Sequence, residues 1–454
     1  MRGMRVSSSG LPDLWSHPLV VLAGLVVMSA LARALSPESV RARLRHWLPA
    51  LTMLPGRGRK LSATATVLGE GLMGQDKWLG GELGTDGCIY SVPGSAKQVL
   101  KVDVATQEVS TFGGPFPGKF KWLRGIRAAD NCIYGVPANA DTVLKIDPVT
   151  QNVTTFGGPF PGSWKWHGAV LSPEDGAIYC IPCNAEEVLR IVPGGDITAL
   201  RRSDGGGPLA GKQKWYGGLL GLDGCIYGIP NCATAVLRVD PRTQEVSTFG
   251  EADLPDTPFG DQKYKWHGGV AHPNGYIYGV PSHSDCVLKI DPATQSVTTF
   301  GGPIASGTYR PDGKYKYGGA VIGSNGAIYC LPSDADQVLK IDPDTEEVTL
   351  IGPAFDDCHN KWQNGYLAAD GYVYAIPCHA EAVLRICCDT DEVTTVPIED
   401  GFEKGYEKWE GGVVGGDGCM YCVPQASKTV LKITPAPSPI SHATQSSADS
   451  EPGT

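Results

Sequence analysis

A short motif, Lys-Trp-x-Gly, recurs along this chain, and the residue at its third position changes from copy to copy. In five copies that residue is polar: His167, Tyr216, His267, Gln363 and Glu410. Imidazole, phenol, amide and carboxyl groups can hydrogen-bond a ligand, hold a metal ion or transfer a proton near neutral pH. In the other copies the position holds Leu79, Leu123 and Gly318. We predict that the five polar residues bind a ligand, or hold a divalent metal with a general base.

The lysines of the motif form a second candidate set. They are Lys77, Lys121, Lys165, Lys214, Lys265, Lys316, Lys361 and Lys408, the sixth being followed by Tyr instead of Trp. Eight cations converging on one surface would bind an anion in spite of the net charge of −10. Aromatic residues interleave with them, as in "KFKW" (119–122) and "KYKW" (263–266), which suits sugar rings. The alternative is structural, with each lysine paired to a nearby acid; the candidates are Asp141, Glu186, Asp285, Asp336 and Glu381.

Two loops near residue 370 bring together thiols and imidazoles. "DDCHNKW" (356–362) and "IPCHAEA" (376–382) contain Cys358, His359, Cys378 and His379. Two thiolates and two imidazoles are a ligand set that zinc accepts in tetrahedral geometry. A disulfide between Cys358 and Cys378 and a pair of free thiols are the alternatives. Seven other cysteines recur beside the Tyr of an Ile-Tyr or Met-Tyr pair, which indicates small buried residues in a sheet.

The spacing of the motif shows what must position these residues. Eight Lys-Trp or Lys-Tyr starts follow one another at steps of 44 to 51 residues. One unit, residues 265–301, contains four short β-favouring runs, "WHGGVA", "YIYGVP", "DCVLKID" and "SVTTFG", separated by the turn signals "HPNG", "PSHS" and "DPAT". No run shows the 3.6-residue period of a helix. Four strands per unit at this period predict an all-β, eight-bladed β-propeller.

The two ends of the array support a closed ring. The last unit stops after "VLKI" (430–433) and lacks a fourth strand. Before the first Lys-Trp lies "ATVLG" (65–69), which matches the fourth-strand text "VTLIG" (348–352). We therefore expect an N-terminal strand to complete the last blade. The first strand of a blade lies beside the central axis, so the Lys-Trp pairs should ring one mouth of the channel.

The sequence segment "DGCIYGIP…VLRVDPRTQEVSTFG" (223–250) and its copies in the other units resemble the blades of NHL and streptogramin-lyase-like propellers over residues 61–434. This resemblance implies the propeller fold. The eight blades and Asp-Pro-x-Thr turns are also similar to those of quinoprotein dehydrogenases, which carry a docking Trp in the fourth strand. Phe or Leu stands there in this chain ("VTTF", "VTLI"), which counts against a quinone cofactor.

Function is predicted at the Lys-Trp mouth. We expect a monomeric binding propeller that engages an anionic or glycan-like ligand or a protein partner. The alternative is a lyase or hydrolase with a metal-assisted site, although no nucleophile–base pair is recognisable by spacing. The negative net charge argues against a nucleic-acid partner.

The segments outside the repeat predict targeting. Residues 1–35 contain a basic start and the apolar run 18–32, typical of a signal peptide or signal anchor. Residues 36–60 are a basic linker, an amphipathic segment or a transit segment, and residues 435–454 form a Pro/Ser-rich disordered tail. We expect entry into the secretory pathway, with a secreted or membrane-anchored product attached through residues 18–35. Organelle import by a bipartite signal is the other interpretation.

Overall fold

A computed structural model describes residues 62–399 and 401–437. The predicted targeting and linker segments (1–60) and most of the predicted tail (438–454 of 435–454) lie outside them, so their assignments stay predictions. All regular structure in the described residues is β, in 32 strands arranged as eight four-stranded antiparallel sheets. The predicted eight-bladed propeller is confirmed. In the part of the chain that the structure describes, no helix is long and apolar enough to span a bilayer.

Each of the first seven blades contains four consecutive strands that pair in chain order. Blade 1 consists of β2 (Gly81–Leu83), β3 (Cys88–Ser91), β4 (Val99–Asp103) and β5 (Val109–Phe112). Blade 2 consists of β6 (Trp122–Arg127), β7 (Ile133–Pro137), β8 (Val143–Asp147) and β9 (Asn152–Phe156). Blade 3 consists of β10 (Trp166–Leu171), β11 (Ile178–Pro182), β12 (Val188–Ile191) and β13 (Ile197–Leu200). Blade 4 consists of β14 (Trp215–Leu220), β15 (Ile226–Pro230), β16 (Val236–Asp240) and β17 (Glu245–Phe249).

The second half of the ring repeats this plan. Blade 5 consists of β18 (Trp266–Ala271), β19 (Ile277–Pro281), β20 (Val287–Asp291) and β21 (Ser296–Phe300). Blade 6 consists of β22 (Tyr317–Ile322), β23 (Ile328–Pro332), β24 (Val338–Ile341) and β25 (Val348–Ile351). Blade 7 consists of β26 (Trp362–Leu367), β27 (Tyr372–Pro377), β28 (Ala382–Cys387) and β29 (Val393–Pro397). Blade 8 consists of β30 (Trp409–Val414), β31 (Met420–Pro424), β32 (Val430–Thr434) and β1 (Thr64–Leu68).

The ring closes as the sequence predicts. The N-terminal strand β1 pairs antiparallel with β32, with Thr64 opposite Thr434 and Leu68 opposite Val430. Blade 8 therefore takes its outer strand from one end of the repeat and its inner three from the other. This pairing joins the two ends of the array, so blade 8 has no unpaired half-sheet.

The core lies between neighbouring blades. In one cluster Tyr134 of blade 2 packs against Trp166 and Cys180 of blade 3, and all three are buried. In blade 2 the polar tips of the buried Tyr and Trp have partners within the same blade. The hydroxyl of Tyr134 donates to Asp130 (2.7 Å), and the indole of Trp122 donates to the carbonyl of Thr142 (2.8 Å). These contacts explain why the Asp-Gly turn, the Tyr and the Trp recur at fixed distances.

The first strand of several blades contains a β-bulge at the variable position of the motif. In blades 3, 4 and 5 the register shifts just after the Trp, and the glycine that follows the variable residue has positive φ: Gly168 (77°), Gly217 (74°) and Gly268 (69°). Blade 7 has Asn364 there, also left-handed (52°). Glycine adopts this conformation without steric cost, and Asn tolerates it better than most residues, so the bulge favours these two residue types in these blades.

Candidate functional site

The eight motif lysines are buried and bound to the backbone. Their exposed fractions run from 0 to 4%. The ammonium group of Lys121, just before β6, donates to the carbonyls of Gly94 (2.7 Å), Ala96 (2.8 Å) and Gly118 (3.0 Å). Gly94 and Ala96 belong to the preceding blade, so the lysine ties two blades together. Lys77 does the same across the closure, donating to the carbonyl of Gln425 at 3.0 Å.

The acidic residues that we predicted to pair with the lysines do not form ion pairs with them. None of the ion pairs among the described residues includes a motif lysine. The pairing prediction for Asp141, Glu186, Asp285, Asp336 and Glu381 is wrong because carbonyl oxygens of the adjacent blade lie closer. Burial lowers the pKa of six of the lysines to about 8, with the same direction for Lys165 and Lys361. The structure thus brings the eight lysines to one face but leaves their ammonium groups inside the protein.

The residue before each motif lysine is what faces outward. In all eight blades it has positive φ, between 49° and 54°, although none of the eight is glycine. Four of them are aromatic: Phe120, Trp164, Tyr264 and Tyr315. We call these four residues the aromatic rim. The backbone N–H of Trp164 is held by Asn139 of the previous blade at 2.8 Å, which helps to fix the unusual backbone.

The rim surrounds a cavity at the mouth of the channel. A cavity of about 210 Å³ is lined by Trp164, Tyr264 and Tyr315 from the rim, by three amide or hydroxyl side chains, and by deeper rings. The three polar side chains are Gln213, Asn231 and Ser282. Trp164 and Tyr315 are 37% and 41% exposed, so their faces are available to a ligand. Phe120 stacks on Trp164 with ring centroids 4.9 Å apart and extends this apolar surface.

Below the rim, three of the variable residues form a stack. His167, Tyr216 and His267 come from consecutive blades, with ring centroids 3.9 Å and 4.2 Å apart. The bulge after each Trp places these side chains at the channel. Nδ1 of His267 lies 3.2 Å from the carbonyl oxygen of Gly318. Since a carbonyl can only accept, Nδ1 carries the proton and Nε2 is left as an acceptor.

His267 lies where three cavities meet. It lines the rim cavity, a neighbouring cavity of about 250 Å³ towards blades 6 and 7, and the central channel of about 340 Å³. Gln363 lines the second of these and Glu410 the third. The structure therefore brings all five polar variable residues to connected spaces, but only three of them touch one another as rings.

The channel contains two charged residues that sequence reasoning missed. Glu82 and Arg124 line it together with Glu410. Aligning the eight copies of the motif would have revealed both. Arg124 stands two residues after its Trp, where six other copies have Gly and one has Asn364. Glu82 stands four residues after its Trp, where the other copies have aliphatic residues or Tyr366.

Enclosure in the channel shifts the titration of these groups. Burial, helped by the positive charge of Arg124, lowers the pKa of His167 to about 3 and that of His267 to about 4. Burial raises the pKa of Glu82 to about 7, and it also raises the pKa of Glu410. At neutral pH both imidazoles are therefore uncharged, and Glu82 is close to half-protonated.

The two Cys-His loops do not form the predicted metal site. His359 and His379 lie close, with ring centroids 4.7 Å apart. No group of three or more His, Cys, Asp or Glu side chains is arranged to hold a metal among the residues that the structure describes. Cys358 and Cys378 are free thiols, so the disulfide alternative is not formed either. Cys378 is instead buried, and its sulfur accepts a hydrogen bond from Asn360 at 3.4 Å.

Comparison with known proteins agrees with the fold. A family profile described as "Repeat of unknown function (DUF6923)" matches residues 170–353. No curated protein matches the sequence. Among solved structures, Saccharomyces cerevisiae Sqt1 has a TM-score of 0.60 at 9% identity, covering 83% of this chain and 100% of its own. A streptogramin B lyase has a TM-score of 0.53 at 14% identity, covering 83% and 99%.

A virginiamycin B lyase from Staphylococcus aureus, a catalytically inactive form crystallised with quinupristin, is similar at a TM-score of 0.52 and 14% identity, covering 82% of this chain and 99% of its own. At such identities these likenesses concern the fold alone. They agree with the resemblance to streptogramin-lyase-like propellers that we noted in the repeated blade sequences. The chain is a β-propeller repeat protein.

Proposed function

We propose that this protein is a carbohydrate-binding propeller that holds a sugar ring at the aromatic rim. The observation that carries the proposal is the rim cavity itself. Aromatic side chains from the loops before the first strands of blades 3, 5 and 6 line it, and the amides of Gln213 and Asn231 from blade 4 stand between them. Apolar faces with a few fixed polar groups are the usual composition of a small-ligand site.

The lysines do not contribute directly to this site. Each ammonium group is engaged by carbonyl oxygens or, in Lys265, also by the side chain of Gln262. Releasing one of them to bind an anion would leave buried carbonyls without a donor, which costs about 1–3 kcal/mol for each. The lysines instead support the rim: Lys165, for example, donates to the carbonyl of Gly162 in the loop that carries Trp164 and to the carbonyl of Ala138 in the preceding blade.

The backbone at the rim supports a binding role. A non-glycine residue with positive φ costs on the order of 1 kcal/mol, and the ring carries eight of them on one face. If this turn served only to connect strands, glycine would adopt the same positive φ with a smaller conformational free-energy cost. Large side chains at Trp164, Tyr264 and Tyr315 are therefore retained against a local cost, as expected of residues that contact a ligand.

Two measurements test this proposal. A glycan array identifies the sugars that the protein binds, and isothermal titration calorimetry then measures the affinity for each of them. We expect Tyr264→Ala and Tyr315→Ala to weaken binding by about tenfold each, since a stacked ring is worth about 1–3 kcal/mol. Tyr276→Ala is the matched control, because Tyr276 lies at the first-to-second-strand turn of blade 5, outside the cavity. Equal glycan binding by all three variants would contradict the proposal. It would also be contradicted if no glycan bound and the rim instead bound another protein.

A lyase or hydrolase is the second candidate, and one observation favours it. Nε2 of His267 is an uncharged acceptor in the same enclosed space as Glu82, whose pKa of about 7 suits proton transfer. Mass spectrometry of the bound ligand before and after incubation separates the two functions. Conversion of the ligand by the wild type, abolished in His267→Ala, would establish the enzyme, whereas an unchanged ligand supports binding alone.

A further inference from the structure

We propose that the central channel beneath the rim is a carboxylate site, in which Arg124 pairs with an acidic group of the bound sugar and His167 donates a hydrogen bond to it. This inference rests on the proposed function and names the class of glycan, one that contains uronic acid. It is carried by an unpaired guanidinium, a buried imidazole nitrogen without a partner, and the shape of the channel wall.

Arg124 has no hydrogen-bonded or ion-paired side-chain partner among the described residues, although its charge acts on the carboxyl group of Glu410 across the channel. It lines the channel and is half-buried. No ion pair among the described residues includes it, and no side-chain hydrogen bond in the same part of the chain does so. An enclosed charge without a partner is costly. Its planar fork of donors matches a carboxylate in a two-point contact.

The neighbouring blade leaves room for this side chain. A Cβ added at Gly80 would lie 3.3 Å from Cδ of Arg124, so the arginine extends across the first strand of blade 1. Most of the channel wall is glycine, contributed by the same positions of the other blades. Among the described residues that line the channel, Arg124 is the only Lys or Arg, because no motif lysine reaches it.

His167 supplies the second, independent observation. The side chain is 9% exposed, and its Nδ1 has no hydrogen-bond partner within the described residues. It lines both the channel and the rim cavity, so it lies on the path between the sugar ring and Arg124. A buried polar atom left unpaired costs about 1–3 kcal/mol, which a carboxylate accepting from Nδ1–H would recover.

The acids in the channel give the site a pH dependence. The titratable groups that line it are Glu82, Arg124, His167, Tyr216, His267 and Glu410. Arg127 acts on Glu82, and Asp76 and Glu407 act on Glu410, from outside the channel. An entering carboxylate repels ionised Glu82 and Glu410, whose pKa values burial already raises, so it favours their protonated forms. Proton uptake on binding makes the affinity rise as the pH falls through about 7.

The experiment uses the full chain and an array that pairs each uronate oligosaccharide with its methyl ester and with a sulfated neutral parent. We expect the wild type to bind uronates at least about tenfold more tightly than the esters. Arg124→Gln should remove that preference, and His167→Asn should reduce it. Arg201→Gln is the matched control, because it removes the same charge from a side chain that is 86% exposed and lies just after the outer strand of blade 3, outside the channel.

The outcomes separate this inference from the proposed function. Equal binding of uronates and esters by the wild type, or an unchanged preference in Arg124→Gln, overturns the carboxylate site while leaving glycan binding in place. Equal binding of the sulfated parents overturns the carboxylate assignment. A second measurement does not depend on glycan binding. It compares the melting temperature of the protein in sodium acetate with that in sodium chloride at the same ionic strength. Stabilisation by acetate that is lost in Arg124→Gln supports the site even where no glycan binds, a result that would refute the proposed function alone.

Discussion

The lysine that joins each blade to its neighbour gives the sharpest test of the structure. Lys121→Met replaces the ammonium group with an apolar tip of similar length, so the side chain still fills its space. The three carbonyls of Gly94, Ala96 and Gly118 then lose a charged donor. A hydrogen bond to a charged group contributes about 1.5–3 kcal/mol, so the loss amounts to about 4.5–9 kcal/mol.

Part of that loss is recovered, because a buried ammonium group is itself costly. Burial lowers the pKa of Lys121 from 10.5 to about 8, a difference of about 2.5, and each pKa unit corresponds to about 1.36 kcal/mol. Removing the charge therefore returns about 3 kcal/mol. The net expectation is a destabilisation of about 4 kcal/mol, within a range of about 1.5–6 kcal/mol.

Urea unfolding followed by circular dichroism measures this change as a shift of the midpoint at constant slope. Lys361→Met is the internal comparison, because Lys361 donates to a single carbonyl, that of Cys358, at 3.2 Å. We expect that variant to lose clearly less stability than Lys121→Met. Equal losses in the two variants would refute the reasoning from hydrogen-bond number. A loss of ligand binding by folded Lys121→Met, with unchanged stability, would restore the ligand-binding interpretation of the lysines.

Three further expectations follow from the same geometry. Gly268→Ala should cost about 1–2 kcal/mol because its φ of 69° lies in the left-handed region, whereas Gly207→Ala, in open space with ordinary φ, should cost a few tenths; urea midpoints of the two variants compare them. The unfolded chain protonates His267 near pH 6.5 but the folded chain only near pH 4, so stability falls as the pH drops through this window. The fall should be smaller by up to about 3 kcal/mol in His267→Gln, as measured by unfolding at pH 7 and pH 4. A thiol assay on the denatured, unreduced protein should count all 14 cysteines, and a count of 12 would reveal a disulfide such as Cys358–Cys378.

The fold was predictable because the signal repeats. Eight copies of the same turn and strand pattern reinforce one another, and "ATVLG" at 65–69 supplies the missing outer strand that closes the ring. Even so, the sequence did not show why glycine follows the variable residue. That reason is the β-bulge after Trp166, Trp215 and Trp266, which depends on how the first strand pairs with the second.

The site was predictable only in part. Variation at one position of the motif singled out His167, Tyr216 and His267, and the structure places their rings side by side, while their role in binding stays a prediction. The same reasoning gave the lysines a ligand-facing role that their buried ammonium groups do not support. A lysine in a sequence looks like a surface charge, and its burial depends on carbonyls of another blade that are about 25 residues away.

What the sequence determined by itself is the repeating unit, the number of blades and the closure, because strand periodicity and turn chemistry are local and act within each copy. What the tertiary structure alone decided is which side chains line the cavity at the channel mouth. The turn before each lysine directs Trp164, Tyr264 and Tyr315 outward and the ammonium groups inward. The ring also brings Arg124, Glu82 and Glu410 into one channel. Charge, burial and contact depend on all eight blades meeting around one axis, and no single copy of the motif contains that information.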